Sequence, residues 1–257
     1  MAIRFLVTIL LFCLPIQIGF AQSKDIRLND QSASLPFSHD DGAYGQFFLI
    51  ESMSGGLAML DYDNDGDLDI YLLNGARIDL PGDATGRRGR AKPINRLYRN
   101  DGAFQFTDVT LQAGVGDPSM SLGVATADYD NDGWQDIYVN NYGTNTFYHN
   151  NGDGTYSVRT DRAGVNNGFL VGGGASFFDK DLDGDLDLYV GNYIKFDVHK
   201  HKVHYHKGLP AYPSPMSFEP EVDHLFENNG DGTFRDVSNS SGIQDVAGRS
   251  MGLTTFD

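Results

Sequence analysis

Aspartates recur at positions 1, 3, 5 and 9 of a short segment that the chain writes three times: DYDNDGDLDI from Asp61, DYDNDGWQDI from Asp128 and DKDLDGDLDL from Asp179. Carboxylates at that density repel one another, and a hard cation relieves the repulsion. Ca²⁺ takes about six to eight oxygens at roughly 2.3–2.6 Å, and a loop wrapped around it needs a residue free of Cβ strain at its sharpest bend. Gly66, Gly133 and Gly184 stand at that bend, position 6. The spacing assigns Asp61, Asp63, Asp65 and Asp69 as side-chain ligands of a first Ca²⁺ site, with the backbone carbonyl of Asp67 at position 7. Asp128, Asp130, Asp132 and Asp136 repeat the set with the carbonyl of Trp134, and Asp179, Asp181, Asp183 and Asp187 with that of Asp185. The cofactor expectation is three Ca²⁺ ions.

The same opening begins an EF-hand, which closes on a bidentate Glu at position 12 and enters a helix. Here position 12 is Leu72, Val139 and Val190, and the residues after position 9 read IYLLNG, IYVNNYG and LYVGNY. Alternating β-branched and aromatic residues predict strands. Dockerin-type loops need the same missing helix, and thrombospondin-type calcium repeats need regular cysteines where this chain has 1 Cys. Each cation is therefore expected in a turn between two strands.

Those strands have partners. Each loop is entered from a small-residue apolar run, GGLAMLD, LGVATAD or GGGASFFD. Each unit then ends in a hairpin: NRLYRNDGAFQFTDVT from Asn95, NTFYHNNGDGTYSVRT from Asn145 or HLFENNGDGTFRDVS from His224. Asn, Asp and Gly tolerate the positive φ of tight hairpin turns. Four strands per unit, repeated at irregular but similar length, predict an all-β protein, a β-propeller of four-stranded blades. Blade 1 is expected over 55–110, blade 2 over 122–161 and blade 3 over 172–238, after an N-terminal segment, 22–54. Residues 251–257 read as the first strand of a fourth blade, cut at its first ligand Asp257. The expected propeller is incomplete, about three blades and a start, and the chain a fragment, since a ring closes with about four to eight blades.

Composition fits an exported β protein: 257 residues, 31 Gly, 40% hydrophobic and 12% aromatic. Much of the formal net charge of −16 lies in the three loops, where bound dications offset part of it. The remainder disfavours nucleic acid and anionic membranes as partners. Residues 1–21 read as a signal peptide: Arg4, an apolar stretch from Phe5 to Phe20, and Gly19-Phe20-Ala21 as the cleavage site before Gln22. The stretch is short and interrupted by Gln17, which argues against a retained membrane anchor. Cys13 falls inside it, leaving the mature chain without cysteine, so metal rather than disulfide does any stapling. Secretion, or a periplasmic or cell-surface location, also matches weak extracellular calcium sites with Kd on the order of 10⁻⁴–10⁻³ M.

The order strand, DxDxDGxxD loop, strand, NNGDGTF hairpin resembles the FG-GAP or VCBS repeats, found in integrin α-subunit propellers and in bacterial secreted proteins. More narrowly, FSHDDGAYGQFFLIESMSGGLAMLDYDNDGDLDIYLLNG and NRLYRNDGAFQFTDVTLQAGVGD resemble the proteins related to cartilage acidic protein, which often carry an ASPIC/UnbV domain after the propeller. The resemblance covers roughly Pro36 to Asp257. It implies a calcium-stabilised propeller used for binding or adhesion, with the aspartates above as the matching ligands and no catalytic residues.

Two excursions carry what the repeat does not explain. The first, Ala76 to Ile94, holds Arg77, Arg87, Arg88, Arg90 and Lys92, a basic run able to grip an anionic glycan or a carboxylate, or a solvated loop. The second, 194–223, carries His199, His201, His204 and His206; paired histidines can bind Zn²⁺ or Cu²⁺, but these pairs have opposite parity on a strand and no obvious fourth ligand. The chain contains no GxSxG, no HExxH and no reactive Cys. The expected function is a binding or adhesion module for protein or carbohydrate. The alternative is the propeller of a calcium-dependent polysaccharide lyase or hydrolase, whose catalytic groups would come from residues such as His204, Tyr205 or Lys207.

Overall fold

The computed structural model describes residues 34–78 and 92–255. The signal segment 1–21, Arg87, Arg88 and Arg90 of the basic run, and Asp257 lie outside the described residues.

Three antiparallel four-stranded meanders follow one another. The first comprises β1 (Leu57–Leu60), β2 (Asp69–Leu72), β3 (Arg96–Asn100) and β4 (Phe106–Asp108), paired in that order. A short helix, α1 (Thr110–Ala113), leads to β5 (Met120–Ala127), β6 (Asp136–Gly143), β7 (Thr146–Asn150) and β8 (Tyr156–Val158). After α2 (Thr160–Ala163) come β9 (Leu170–Phe178) and β10 (Asp187–Asn192). A small hairpin, β11 (His204–His206) with β12 (Leu209–Ala211), precedes β13 (His224–Asn228) and β14 (Phe234–Asp236), which complete the third meander. β6 also pairs with β9 through Tyr142 and Val171, joining the second and third meanders. This is an incomplete β-propeller.

Alternation within single strands explains why the units stack. Ile137 and Val139 of β6 bury against Tyr71, Leu73 and Leu97 of the first blade, while Tyr138 between them buries with Leu188, Val190 and Phe226 of the third. Successive strand residues point to opposite faces, so one strand serves two interfaces. Each such side chain, fully buried, contributes about 1.5–3 kcal/mol. On the inner strands the requirement is the opposite: a Cβ on Gly123 would lie 2.8 Å from the carbonyl oxygen of Gly173, so β5 comes this close to β9 because position 123 is glycine, and a Cβ on Gly173 would meet the Ser250 carbonyl instead. Ser250 to Leu253 lie against Gly173, Gly174 and Gly191, and the Ser250 N–H donates to Asn192 O at 3.1 Å.

A clamp at the outer end of each second strand absorbs excursions of different length. The N–H of Asn74 donates to Asn95 Oδ1 at 2.7 Å, that of Asn141 to Asn145 Oδ1 at 2.8 Å, and that of Asn192 to Asp223 Oδ1 at 2.7 Å. Whatever leaves the sheet between those residues returns to the same point. The long third excursion is not a loose loop. The His201 ring packs edge-on to Phe48 at 4.7 Å between centroids, and its Nε2 lies 2.8 Å from Gln46 O. Phe196 and Phe218 extend that cluster, so the N-terminal segment and the excursion meet over one buried apolar patch.

Candidate metal centre

Each Asp-rich segment forms the turn between the first and second strands of a blade, with Leu60 opposite Asp69, Ala127 opposite Asp136 and Phe178 opposite Asp187. The turn is held by its own carboxylates in the same way three times. At position 1, Asp61, Asp128 and Asp179 accept the N–H groups of positions 5 and 6 at 2.9–3.1 Å. At position 5, Asp65, Asp132 and Asp183 accept the N–H of position 7 at 2.9 Å, which is Asp67, Trp134 or Asp185. Gly66, Gly133 and Gly184 have φ of 91°, 88° and 95°, the left-handed region that side chains with a Cβ avoid.

The aspartate at position 9 is the hinge between loop and sheet. Asp69 and Asp136 have no exposed surface and Asp187 has 2%. One oxygen of each accepts the N–H of position 2 (Tyr62, Tyr129, Lys180) and the other the N–H of Asn100, Asn150 or Asn228 at the end of the third strand. The same asparagines reach the preceding blade: Asn150 Nδ2 donates to Tyr62 O and Asn228 Nδ2 to Tyr129 O, both at 2.8 Å. Consecutive loops also touch, through Asn64 Nδ2 to Gly133 O at 2.8 Å and Asn131 Nδ2 to Asp185 Oδ1 at 3.0 Å.

Carboxylate oxygens of Asp61, Asp63 and Asp69 lie within 4.8 Å of one another, as do those of Asp179, Asp181 and Asp187, and in the second loop those of Asp128, Asp130 and Asp132. A second grouping there joins Asp130 and Asp136 to His149. Asp63 Oδ1 and Asp130 Oδ1 are buried with no hydrogen-bond partner, an arrangement that costs free energy unless something positive is shared between the carboxylates. Burial pushes Asp69 up to about 6 and Asp136 to about 8, against the backbone N–H groups that favour their ionised forms. Asp63 and Asp130 are raised by burial and then by their neighbouring carboxylates. The residues fit a hard dication: dense oxygen donors, two unused acceptors and a turn already pinned by hydrogen bonds.

The third loop differs. Lys180 stands at position 2 where the other loops have Tyr62 and Tyr129, and its ammonium lies 2.5 Å from Asp181, 2.9 Å from Glu227 and 3.8 Å from Asp187. Asp181 thus already has a cationic neighbour. Position 7 side chains, apart from their carbonyls, cover the hairpin turns: a Cβ on Gly152 would meet the Trp134 indole at 2.9 Å, and one on Gly230 the Asp185 carboxylate at 2.7 Å.

Sequence reading assigned Asn100, Asn150 and Asn228 to turn chemistry alone, and the structure adds their contacts with buried aspartates. The signal was available, since the same Asn falls at the same distance before each hairpin glycine. His149 and Lys180 carried no such signal, because each occurs in one blade. Among the described residues, no group of three metal-ligating side chains includes His199, His201, His204 or His206.

Repeated four-stranded units hinged on acidic loops define a propeller-type repeat protein. The chain belongs to the FG-GAP-like repeat family, whose model matches residues 61–139 and 128–190, each match opening on the first aspartate of a loop. It is similar to cartilage acidic protein 1 of Homo sapiens, 30% identical over 183 residues, and of Mus musculus, 27% identical over 183 residues. Each match covers 67% of this chain and 27% of the relative. The Xenopus tropicalis protein of the same name is 25% identical over 256 residues, covering 79% of this chain and 38% of the relative. The chain thus spans well under half the length of these relatives.

Proposed function

We propose that the chain is the propeller portion of an exported, calcium-binding recognition protein, in which Ca²⁺ in the three loops stiffens the blades and the surface above them binds a protein or carbohydrate ligand. The observation that carries this reading is the unpartnered buried oxygen of Asp63 and of Asp130, each inside a ring of carboxylates. Asp61, Asp63, Asp65 and Asp69 would hold the first ion with the Asp67 carbonyl. Asp128, Asp130, Asp132 and Asp136 would hold the second with that of Trp134, and Asp179, Asp181, Asp183 and Asp187 the third with that of Asp185. The ions supply charge neutralisation and cross-links, and the chain's own residues do the rest: position 9 locks loop to sheet, and the hairpin asparagines lock blade to blade. Export rests on the N-terminal pattern of charge and hydropathy; among the described residues no helix is long and apolar enough to cross a membrane. His204, Tyr205 and Lys207, the residues an enzymatic reading would use, stand exposed along one small hairpin.

A glycan array and a panel of extracellular-matrix proteins, probed in millimolar Ca²⁺ and again in chelator, test the reading. Calcium-dependent capture without turnover supports it. Release of new reducing ends or unsaturated sugars from a bound glycan would replace it with the lyase or hydrolase reading.

A further inference from the structure

The second loop is chemically unlike the other two. His149, on β7, directs Nδ1 into the space between two of the loop's aspartates, 3.2 Å from Asp136 Oδ1 and 3.4 Å from Asp130 Oδ2. Asp136 is fully buried, and the side chains of His149 and Asp130 are 17% and 22% exposed. Neither His149 Nδ1 nor Asp130 Oδ1 has a hydrogen-bond partner, although both atoms are buried. A protonated imidazole serving only as counter-charge would place its N–H in line with one carboxylate, and here it lines up with neither. Three donors converging at these separations instead match ligands arranged around a shared ion with bonds of roughly 2.0–2.2 Å.

The internal repeat sharpens the contrast. Arg99 and Glu227 occupy the place of His149 in the other blades, so the first and third loops have no nitrogen ligand there. Arginine is always charged and cannot ligate; imidazole is a preferred ligand of Zn²⁺ and its neighbours in the first transition series, whereas Ca²⁺ selects oxygen. The Tyr129 ring stands edge-on to the imidazole at 6.1 Å and orients it. A cavity of about 190 Å³ bordered by Asp130, His149, Arg159 and Gly230 gives the cluster access to solvent.

We propose that Asp130, Asp136 and His149 form a transition-dication site of the Zn²⁺ class in the second blade, where Zn²⁺ takes the place of that loop's Ca²⁺ and leaves Ca²⁺ to the all-oxygen loops on either side. The proposal rests on the metal reading of the loops in one respect, that Asp130 and Asp136 serve as ligands. Its test uses the untagged full chain, stripped with chelator, then equilibrated in millimolar Ca²⁺ with limiting Zn²⁺, desalted and analysed for both metals. The expected result is one Zn²⁺ retained per chain in the presence of Ca²⁺. His149→Arg, which installs the first blade's residue, should lower that retention by at least about tenfold, since even the loss of supporting contacts around a metal costs 10–100-fold. His149→Gln serves the same purpose should the arginine prevent folding. A His204→Ala, His206→Ala double variant should keep its Zn²⁺, separating this site from the His-rich excursion. Co²⁺ in place of Zn²⁺ should give visible d–d absorption that disappears with His149. Zn²⁺ that washes out of the wild-type chain, or that His149→Arg retains in full, overturns the proposal. Zinc lost from a chain whose melting temperature calcium still raises defeats this inference alone, and zinc retained by a chain whose melting calcium leaves unchanged defeats the calcium reading alone.

Discussion

Asp136 has two roles that pull its charge in opposite directions. Its oxygens accept the N–H groups of Tyr129 and Asn150, which favours the carboxylate, while complete burial favours the neutral acid and wins, pushing it up to about 8. Asp69 is raised to about 6 for the same reason. A group whose folded-state pKa lies above its unfolded value stabilises the fold fully below the unfolded value and ceases to do so as pH rises through the folded one. Chelated protein should therefore lose stability as pH is raised from about 4 to about 8, and saturating Ca²⁺ should flatten or reverse that slope; melting curves across the range decide it. Asp136→Ala leaves two buried backbone donors without acceptors, at about 1–3 kcal/mol each, and denaturant titration in chelator should register a loss of about 2–6 kcal/mol. Asp130→Ala removes a carboxylate one of whose oxygens has no hydrogen-bond partner and whose other faces His149. It should cost little in chelator and lower the melting temperature only when Ca²⁺ is present.

Between neighbouring blades the bracing passes through asparagine. Asn228 joins Asp187 of its own blade to the Tyr129 carbonyl of the one before, and Asn150 does the same for Asp136 and Tyr62. Asn228→Ala should cost about 1–3 kcal/mol by denaturant titration, with or without metal, because the carbonyls of Tyr129 and Leu186 lose their donor while the backbone N–H to Asp187 stays. Strand order, the place of each acidic turn and the four-strand unit were legible from alternation and glycine spacing, because period 2 and φ > 0 are local demands. The carboxylate sets could be proposed from spacing for the same reason. What could not be read was non-local. That position 9 is the buried aspartate, that His149 leans into the second loop, that Lys180 of the third reaches Glu227, and that His201 packs on Phe48, all depend on residues brought together from different parts of the chain. The opposite parity of its histidine pairs argued against a ligand set in the His-rich run, but spacing alone says nothing of what its rings touch.

Across the molecule, stability comes from faces rather than layers: three apolar clusters, one between the first and second blades, one between the second and third, and one where the N-terminal segment meets the long excursion. Hydrogen bonds run from the first acidic loop to the second and from the second to the third, so an ion bound in one site would brace its neighbour as well. At calcium near 10 mM and sites of Kd on the order of 10⁻⁴–10⁻³ M, each occupied site adds about 1.4–2.7 kcal/mol. Around a chain of this size 1 kcal/mol moves the melting point by about 2–4 °C. The most direct measurement is thermal unfolding of the full chain in calcium and in excess chelator at neutral pH. Three ions acting as staples predict a melting temperature higher by about 10 °C or more in calcium; coincident curves would contradict the account.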